Sequence, residues 1–157
     1  MITFKQILFP VDLSPASPMI VPYVKVMAEK FESEICLLFV ARNLKYFADM
    51  YVPDPSILTF EREIVEGSTR RLDEFKDKYF AKMPHVHTKV VSGDPAGEIL
   101  YYIKNKAVDM VIMGTHGRKG LDKIVFGSVA DRIVKASLVP VFLINPYRDD
   151  KKAEAEK

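Results

Sequence analysis

Residues 108–129 read Val108-Asp109-Met110-Val111-Ile112-Met113-Gly114-Thr115-His116-Gly117-Arg118-Lys119-Gly120-Leu121-Asp122-Lys123-Ile124-Val125-Phe126-Gly127-Ser128-Val129. The first six are apolar apart from Asp109, as suits a strand covered on both faces and therefore central in a parallel sheet. That strand empties into a loop rich in glycine. Gly127-Ser128 then opens a helix that continues from Val129 to Lys135, and Val139 to Ile144 has the length and composition of another strand. Strand, loop, helix and strand in this order describe a βαβ unit, whose two strands run parallel.

The same alternation extends upstream. Gln6 to Val11, Glu34 to Val40 and Val86 to Val91 are strand-length apolar runs, and longer stretches of helical period separate them. The expected fold class is α/β: a five-stranded parallel sheet in the order 3-2-1-4-5 with helices on both faces, Rossmann-like or flavodoxin-like. Ile20, Val24, Met27, Ala28 and Phe31 recur on one face of the first helix. Ser14-Pro15 and Ser17-Pro18 both read as an N-cap followed by proline, with Ser17 preferred, and Pro22 is expected to bend the helix near its start. Ala41 to Ile57, with Pro53 and Pro55, reads as a loop with room for a short helix. A long charged helix is expected from about Leu58 to Lys82, burying Ile64, Leu72, Phe75 and Tyr79. Ser92-Gly93-Asp94-Pro95 is a turn in which Asp94 caps a third helix running to about Lys106.

With 157 residues, 48% of them apolar, one domain over residues 1–147 can bury its own core, and the charged tail 148–157 lacks apolar periodicity. Lysine and arginine number 23 against 21 acids and are spread along the chain, which is no footprint for nucleic acid. No secretory signal and no membrane span is read, since the apolar runs fall far short of the ~20 residues that a span needs. A cytoplasmic protein is expected. Cys36 lies inside an apolar run and reads as a small buried side chain. His85 and His87 read as surface histidines, because no cysteine or carboxylate cluster accompanies them.

The chemistry concentrates after the fourth strand. Glycines there allow positive φ and close backbone approach, and the N–H groups at the start of a helix suit an anion, so a phosphate chain fits. Ser128 is expected to cap the helix and touch phosphate together. Ligands of open α/β sheets sit beyond the carboxyl ends of the strands, where Asp12 and Val40 face the same crevice. Asp12 can accept hydrogen bonds from ribose hydroxyls or help hold a metal, or it can simply close the first strand against the next helix. His116 stands without a ligand partner one turn on, which favours contact with phosphate over catalysis.

In these residues the chain resembles the universal stress protein family, whose ATP-binding members carry Gly-x2-Gly-x9-Gly-(Ser/Thr) after the fourth strand. Gly114, Gly117, Gly127 and Ser128 match it. The likeness covers nearly the whole chain, including Val11-Asp12, Gly93-Asp94-Pro95 and Val139-Pro140-Val141. It implies that Pro10, Val11, Asp12, Val40 and Met113 line an adenosine pocket. Gly114, His116, Gly117, Arg118, Gly127, Ser128 and Val129 would then surround ribose and phosphates. ATP, AMP or ADP is the implied ligand, with magnesium as a companion, and stress signalling is the implied role. Pro18 and Pro22 depart from the family pattern in the wall near Asp12.

The sequence carries no Gly-x4-Gly-Lys-(Ser/Thr) and no Gly-x-Gly-x2-Gly after a strand, so neither a P-loop NTPase nor a dinucleotide oxidoreductase is supported. A binding or regulatory protein is the first expectation. The alternative is a slow ATPase or a nucleotidyl or phosphoryl transferase using Asp12, a metal and His116. A homodimer is expected through the edge strand Val139 to Ile144, which is apolar and carries no lysine to block pairing, and where Pro140 is tolerable because its missing N–H need not bond within the sheet. The family likeness points the same way.

Overall fold

Ile7, Leu8 and Phe9 follow one another in β1 (Gln6–Pro10), and all three are buried. Successive strand side chains point to opposite faces, so β1 must be covered on both. The computed structural model describes residues 1–42, 55–116 and 127–147 and shows that covering. β2 (Glu34–Arg42), β3 (Val86–Gly93), β4 (Met110–Gly114) and β5 (Val141–Ile144) complete a five-stranded sheet in the order β3-β2-β1-β4-β5. Every neighbouring pair is parallel, with Ile7 opposite both Ile35 and Met110, and Val111 opposite Val141. The expected fold class is therefore the observed one.

Four helices lie among the described residues: α1 (Ser17–Phe31), α2 (Pro55–Phe80), α3 (Pro95–Asn105) and α4 (Ser128–Ala136). They sort the core into two layers. Ile7, Phe9, Ile35, Leu37 and Ile112 pack with Val24 and Ala28 of α1 and Leu72 and Phe75 of α2. Leu8, Cys36, Leu38, Val111 and Met113 pack on the other face with Ile99 and Ile103 of α3 and Ala130 and Ile133 of α4. Each buried Val, Leu, Ile, Phe or Met among them contributes roughly 1.5–3 kcal/mol by leaving water. Cys36 is buried as expected, its Sγ is 3.3 Å from the Tyr102 hydroxyl, and burial pushes the thiol above its ordinary pKa.

Several local expectations are corrected. Ser17 is the first residue of α1 rather than its cap, a position held by Ala16, and its hydroxyl turns back to Asp12 instead of to the helix. Pro22, expected to bend the helix, is exposed and lies inside α1. α2 begins at Pro55 and buries Phe80 fully, whereas Tyr79 is half-buried. The difference is chemical: tyrosine keeps a hydroxyl for water, while Phe80 has no polar atom to satisfy and is closed in beneath the Lys25 ammonium. Asp94 caps α3 as expected, accepting the Gly97 N–H at 2.9 Å. The expected loop to Ile57 lies outside the described residues at 43–54, as does the tail from 148 onward.

β5 starts at Val141, two residues later than expected. The Pro140 carbonyl accepts the Val111 N–H at 2.9 Å. Since a residue's N–H and C=O point to the same side of a strand, the N–H that Pro140 lacks would also face β4. Proline therefore shortens the ladder at its entry, its backbone facing β4 while its ring is exposed. No described helix is long and apolar enough to cross a membrane.

Candidate functional site

β1 delivers Pro10, Val11 and Asp12 to the carboxyl end of the sheet, and the Val11 N–H extends the ladder to the Leu38 carbonyl at 2.9 Å. The chain must then turn sharply into α1. Leu13 makes that turn at φ 57, a left-handed conformation that a leucine adopts only when its surroundings fix it. Oδ1 of Asp12 supplies the fixing, accepting the Ser14 N–H at 3.0 Å and the Ser17 hydroxyl at 2.7 Å, and Ser14 Oγ accepts the Ala16 N–H at 3.3 Å. Asp12 thus both builds the turn and stands half-buried at the mouth of the crevice.

β4 delivers Met113, which is buried, then Gly114, Thr115 and His116. A Cβ on Gly114 would lie 3.2 Å from the His116 carbonyl oxygen and 3.4 Å from Cδ1 of Ile20, a residue of α1 one turn past the Asp12 partner Ser17. Lack of space, not a positive φ, is what asks for glycine here. The same contact brings the ends of β1 and β4 together. Thr115 ties the next elements in: its N–H donates to the Ile144 carbonyl at 2.8 Å, and its own carbonyl takes the Gly127 N–H at 2.9 Å.

That last bond seats the start of α4 against the end of β4. Gly127 is the N-cap and Ser128, exposed, is the first helical residue, which corrects the expectation that Ser128 caps the helix. Gly127 has φ −55 and ψ 151, which any residue can adopt. The first helical bond runs from the Asp131 N–H to the Gly127 carbonyl at 3.0 Å, so the N–H groups of Ser128, Val129 and Ala130 have no partner within the helix. Such a terminus favours negative charge.

Val40, half-buried, comes to the same edge from β2, and Val129, half-buried, packs on the α3/α4 layer. The expected contacts Gly117 and Arg118 lie outside the described residues. Two partners of the site were not anticipated. Both touch the His116 ring: Thr115 Oγ1 is 2.8 Å from His116 Nδ1, and the Tyr147 ring meets the imidazole edge-on, centroids 6.2 Å apart. Thr115 sits inside the glycine motif and could have been singled out there, whereas Tyr147 becomes a neighbour only through the pairing of β4 with β5. Nearby, Oδ2 of Asp94 accepts both the Gly97 N–H and, at 2.7 Å, the guanidinium of Arg132 from α4. The Gly97 N–H foremost, with help from Arg132 and Arg42, holds the Asp94 carboxyl below its ordinary pKa. Among the described residues no three His, Cys, Asp or Glu side chains converge as a metal site.

This arrangement can place an anion on the start of α4 and a polar, hydroxyl-bearing group beside Asp12. Known proteins share its frame. Universal stress protein MJ0531 of Methanocaldococcus jannaschii is 28% identical over 143 residues, covering 90% of this chain and 82% of that protein. The solved structure of protein MJ0577 from the same organism superimposes with a TM-score of 0.78 at 25% identity, over 91% of this chain and 96% of that one. A protein of the universal stress protein family from Arabidopsis thaliana, solved with AMP bound, shares the fold with a TM-score of 0.64 at 18% identity, over 93% and 94% of the two chains. A family model described as the universal stress protein family matches residues 3–145, from before β1 to beyond β5, and the chain belongs to that family.

Proposed function

We propose that this stress protein binds an adenine nucleotide, ATP or its relatives ADP and AMP, across the carboxyl ends of β1, β2 and β4. The observation that carries the reading is the bond from the Gly127 N–H to the Thr115 carbonyl, which joins the two halves of the glycine motif and seats the start of α4 against the end of β4. Phosphates meet the N–H groups of Ser128 to Ala130 and the Ser128 hydroxyl, while Asp12 accepts from ribose hydroxyls. Pro10, Val11, Val40 and Met113 form the apolar wall for the base. Gly127 leaves room for the ligand, because among the described residues a Cβ there would meet only the Thr115 carbonyl oxygen, at 3.5 Å. The AMP held by the Arabidopsis thaliana protein supports the same class of ligand. Magnesium enters only as the companion of the phosphates.

The nucleotide acts here as a regulator: binding stabilises the ordered crevice in proportion to its affinity and concentration. The same reading pairs two copies along β5, whose Phe142 and the preceding Leu138 are exposed. Mass spectrometry of small molecules released from the purified protein tests the ligand class, together with measurement of ADP and AMP formed from added ATP and magnesium. A co-purifying adenine nucleotide without turnover is expected. A different ligand, or steady hydrolysis abolished by Ser128→Ala, would replace this reading with another.

A further inference from the structure

Two consecutive residues at the exit of β4 are each held by the exit of β5. Thr115 donates its N–H to the Ile144 carbonyl at 2.8 Å, and the imidazole of His116 meets the edge-on ring of Tyr147, with the planes 67° apart. Tyr147 is itself fixed by the short turn Asn145-Pro146-Tyr147, in which Oδ1 of Asn145 accepts the Tyr147 N–H at 3.0 Å. A second restraint acts on the imidazole at Nδ1, which lies 2.8 Å from Thr115 Oγ1. Thr115 is only 8% exposed, so its hydroxyl has little water to turn to. When that hydroxyl donates to Nδ1, the neutral ring carries its proton on Nε2, the nitrogen not taken by Thr115.

We propose that Tyr147 is a positioning residue of the nucleotide site: its ring and the Thr115 hydroxyl together lock His116 so that Nε2–H donates to an oxygen of the bound nucleotide. This rests on the adenine-nucleotide reading and adds to it a residue from the end of β5. Tyr147 acts through its ring rather than its hydroxyl. Tyr147→Phe therefore retains the lock, and Tyr147→Leu releases it.

The experiment combines nitrogen NMR of the histidine side chains without nucleotide and calorimetric titration with ATP. In the wild type and Tyr147→Phe, His116 is expected as a single Nε2–H tautomer, and in Tyr147→Leu as an exchange-averaged mixture. ATP affinity should fall about fivefold in Tyr147→Leu, as expected for losing one aromatic contact, and should be kept in Tyr147→Phe. In the His116→Ala background, Tyr147→Leu should cause no further loss, because its effect passes through the imidazole. A wild type that binds ATP beside a Tyr147→Leu protein of equal affinity and unchanged His116 spectrum would overturn the positioning role alone. An equal fivefold loss in both backgrounds would overturn it too, showing Tyr147 to act independently of His116. A wild type with no ATP binding would overturn both this role and the nucleotide reading.

Discussion

The Ser17 hydroxyl donates to Oδ1 of Asp12 at 2.7 Å, the same oxygen that accepts the Ser14 N–H at 3.0 Å. Between these partners Leu13 is held at φ 57, a conformation that costs an L-residue roughly 1–2 kcal/mol. The carboxylate that the nucleotide reading assigns to ribose is thus also a structural member of the β1–α1 turn. A mutation at this position acts on both.

Asp12→Ala should lower the unfolding free energy by about 1–3 kcal/mol, measured by urea denaturation, because two hydrogen bonds to a charged acceptor are lost. Asp12→Asn keeps an amide oxygen for the turn, so it should cost less stability while weakening both adenosine and ATP. A wild-type unfolding midpoint for Asp12→Ala would show that the turn stands without the carboxylate.

Gly127 offers the converse case, a site residue that the fold itself does not require to be glycine. With φ −55 and a 3.5 Å clearance to the Thr115 carbonyl oxygen, Gly127→Ala should leave stability within about 0.5 kcal/mol of wild type. Gly127→Val should still fold, yet its branched side chain would stand in the path of the phosphates and weaken ATP by more than about tenfold, through loss of charge-assisted hydrogen bonds. Unaltered ATP affinity in a folded Gly127→Val protein would place the phosphates elsewhere.

These two residues show which parts of the molecule were legible in the sequence. The parallel sheet followed from near-continuous apolar runs such as Ile7-Leu8-Phe9, which a central strand buries on both faces, and its order came from the flavodoxin-like fold class that the strand–helix alternation implies. The Asp94 cap was equally readable, since aspartate before Pro95 satisfies a helix start by local bonds alone. Cap identity at α1 and α4 was not. Ser17 was drawn away by Asp12, and the cap position of α4 fell to Gly127, whose N–H is tied to the end of β4. Tyr147 was invisible for a similar reason: nothing in Asn145-Pro146-Tyr147 names His116 until β5 has paired with β4.

Asp94 makes stability depend on acid. Its folded pKa lies below the ordinary carboxylate value, first through the Gly97 N–H and then through Arg132. A carboxylate depressed in the folded state binds protons more tightly when unfolded, so its contribution is present above the unfolded pKa of about 3.9 and is lost as pH falls through the folded value. Asp94→Ala should therefore lose about 1 kcal/mol at neutral pH, as for a removed N-cap, and show a shallower decline of stability below about pH 4. Parallel acid denaturation curves for the two proteins would contradict this.

The dimer proposal is tested at Phe142 and Leu138. Val141 and Leu143 turn toward the α3/α4 layer and are half-buried there, so changing them would confuse folding with assembly. Phe142 is 44% exposed and Leu138 76% exposed. The Val141 and Leu143 backbone groups alternate with those facing β4 and so point outward, ready to pair with a second β5 about a twofold axis. Phe142→Lys and Leu138→Lys should each shift the mass seen by light scattering from dimer toward monomer. A monomeric wild type, or lysine variants that remain fully dimeric, would rule out pairing through this edge.

Calorimetric titration of the wild type and Ser128→Ala with ATP and with adenosine tests the central claim most directly. Ser128 is the first residue of α4 and not its cap, so the alanine variant should keep wild-type stability while losing a phosphate contact. The account predicts that Ser128→Ala weakens ATP about tenfold and leaves adenosine nearly unchanged, since only ATP reaches the start of α4. Equal affinities of wild type and variant for ATP, or equal losses for ATP and adenosine, would contradict it.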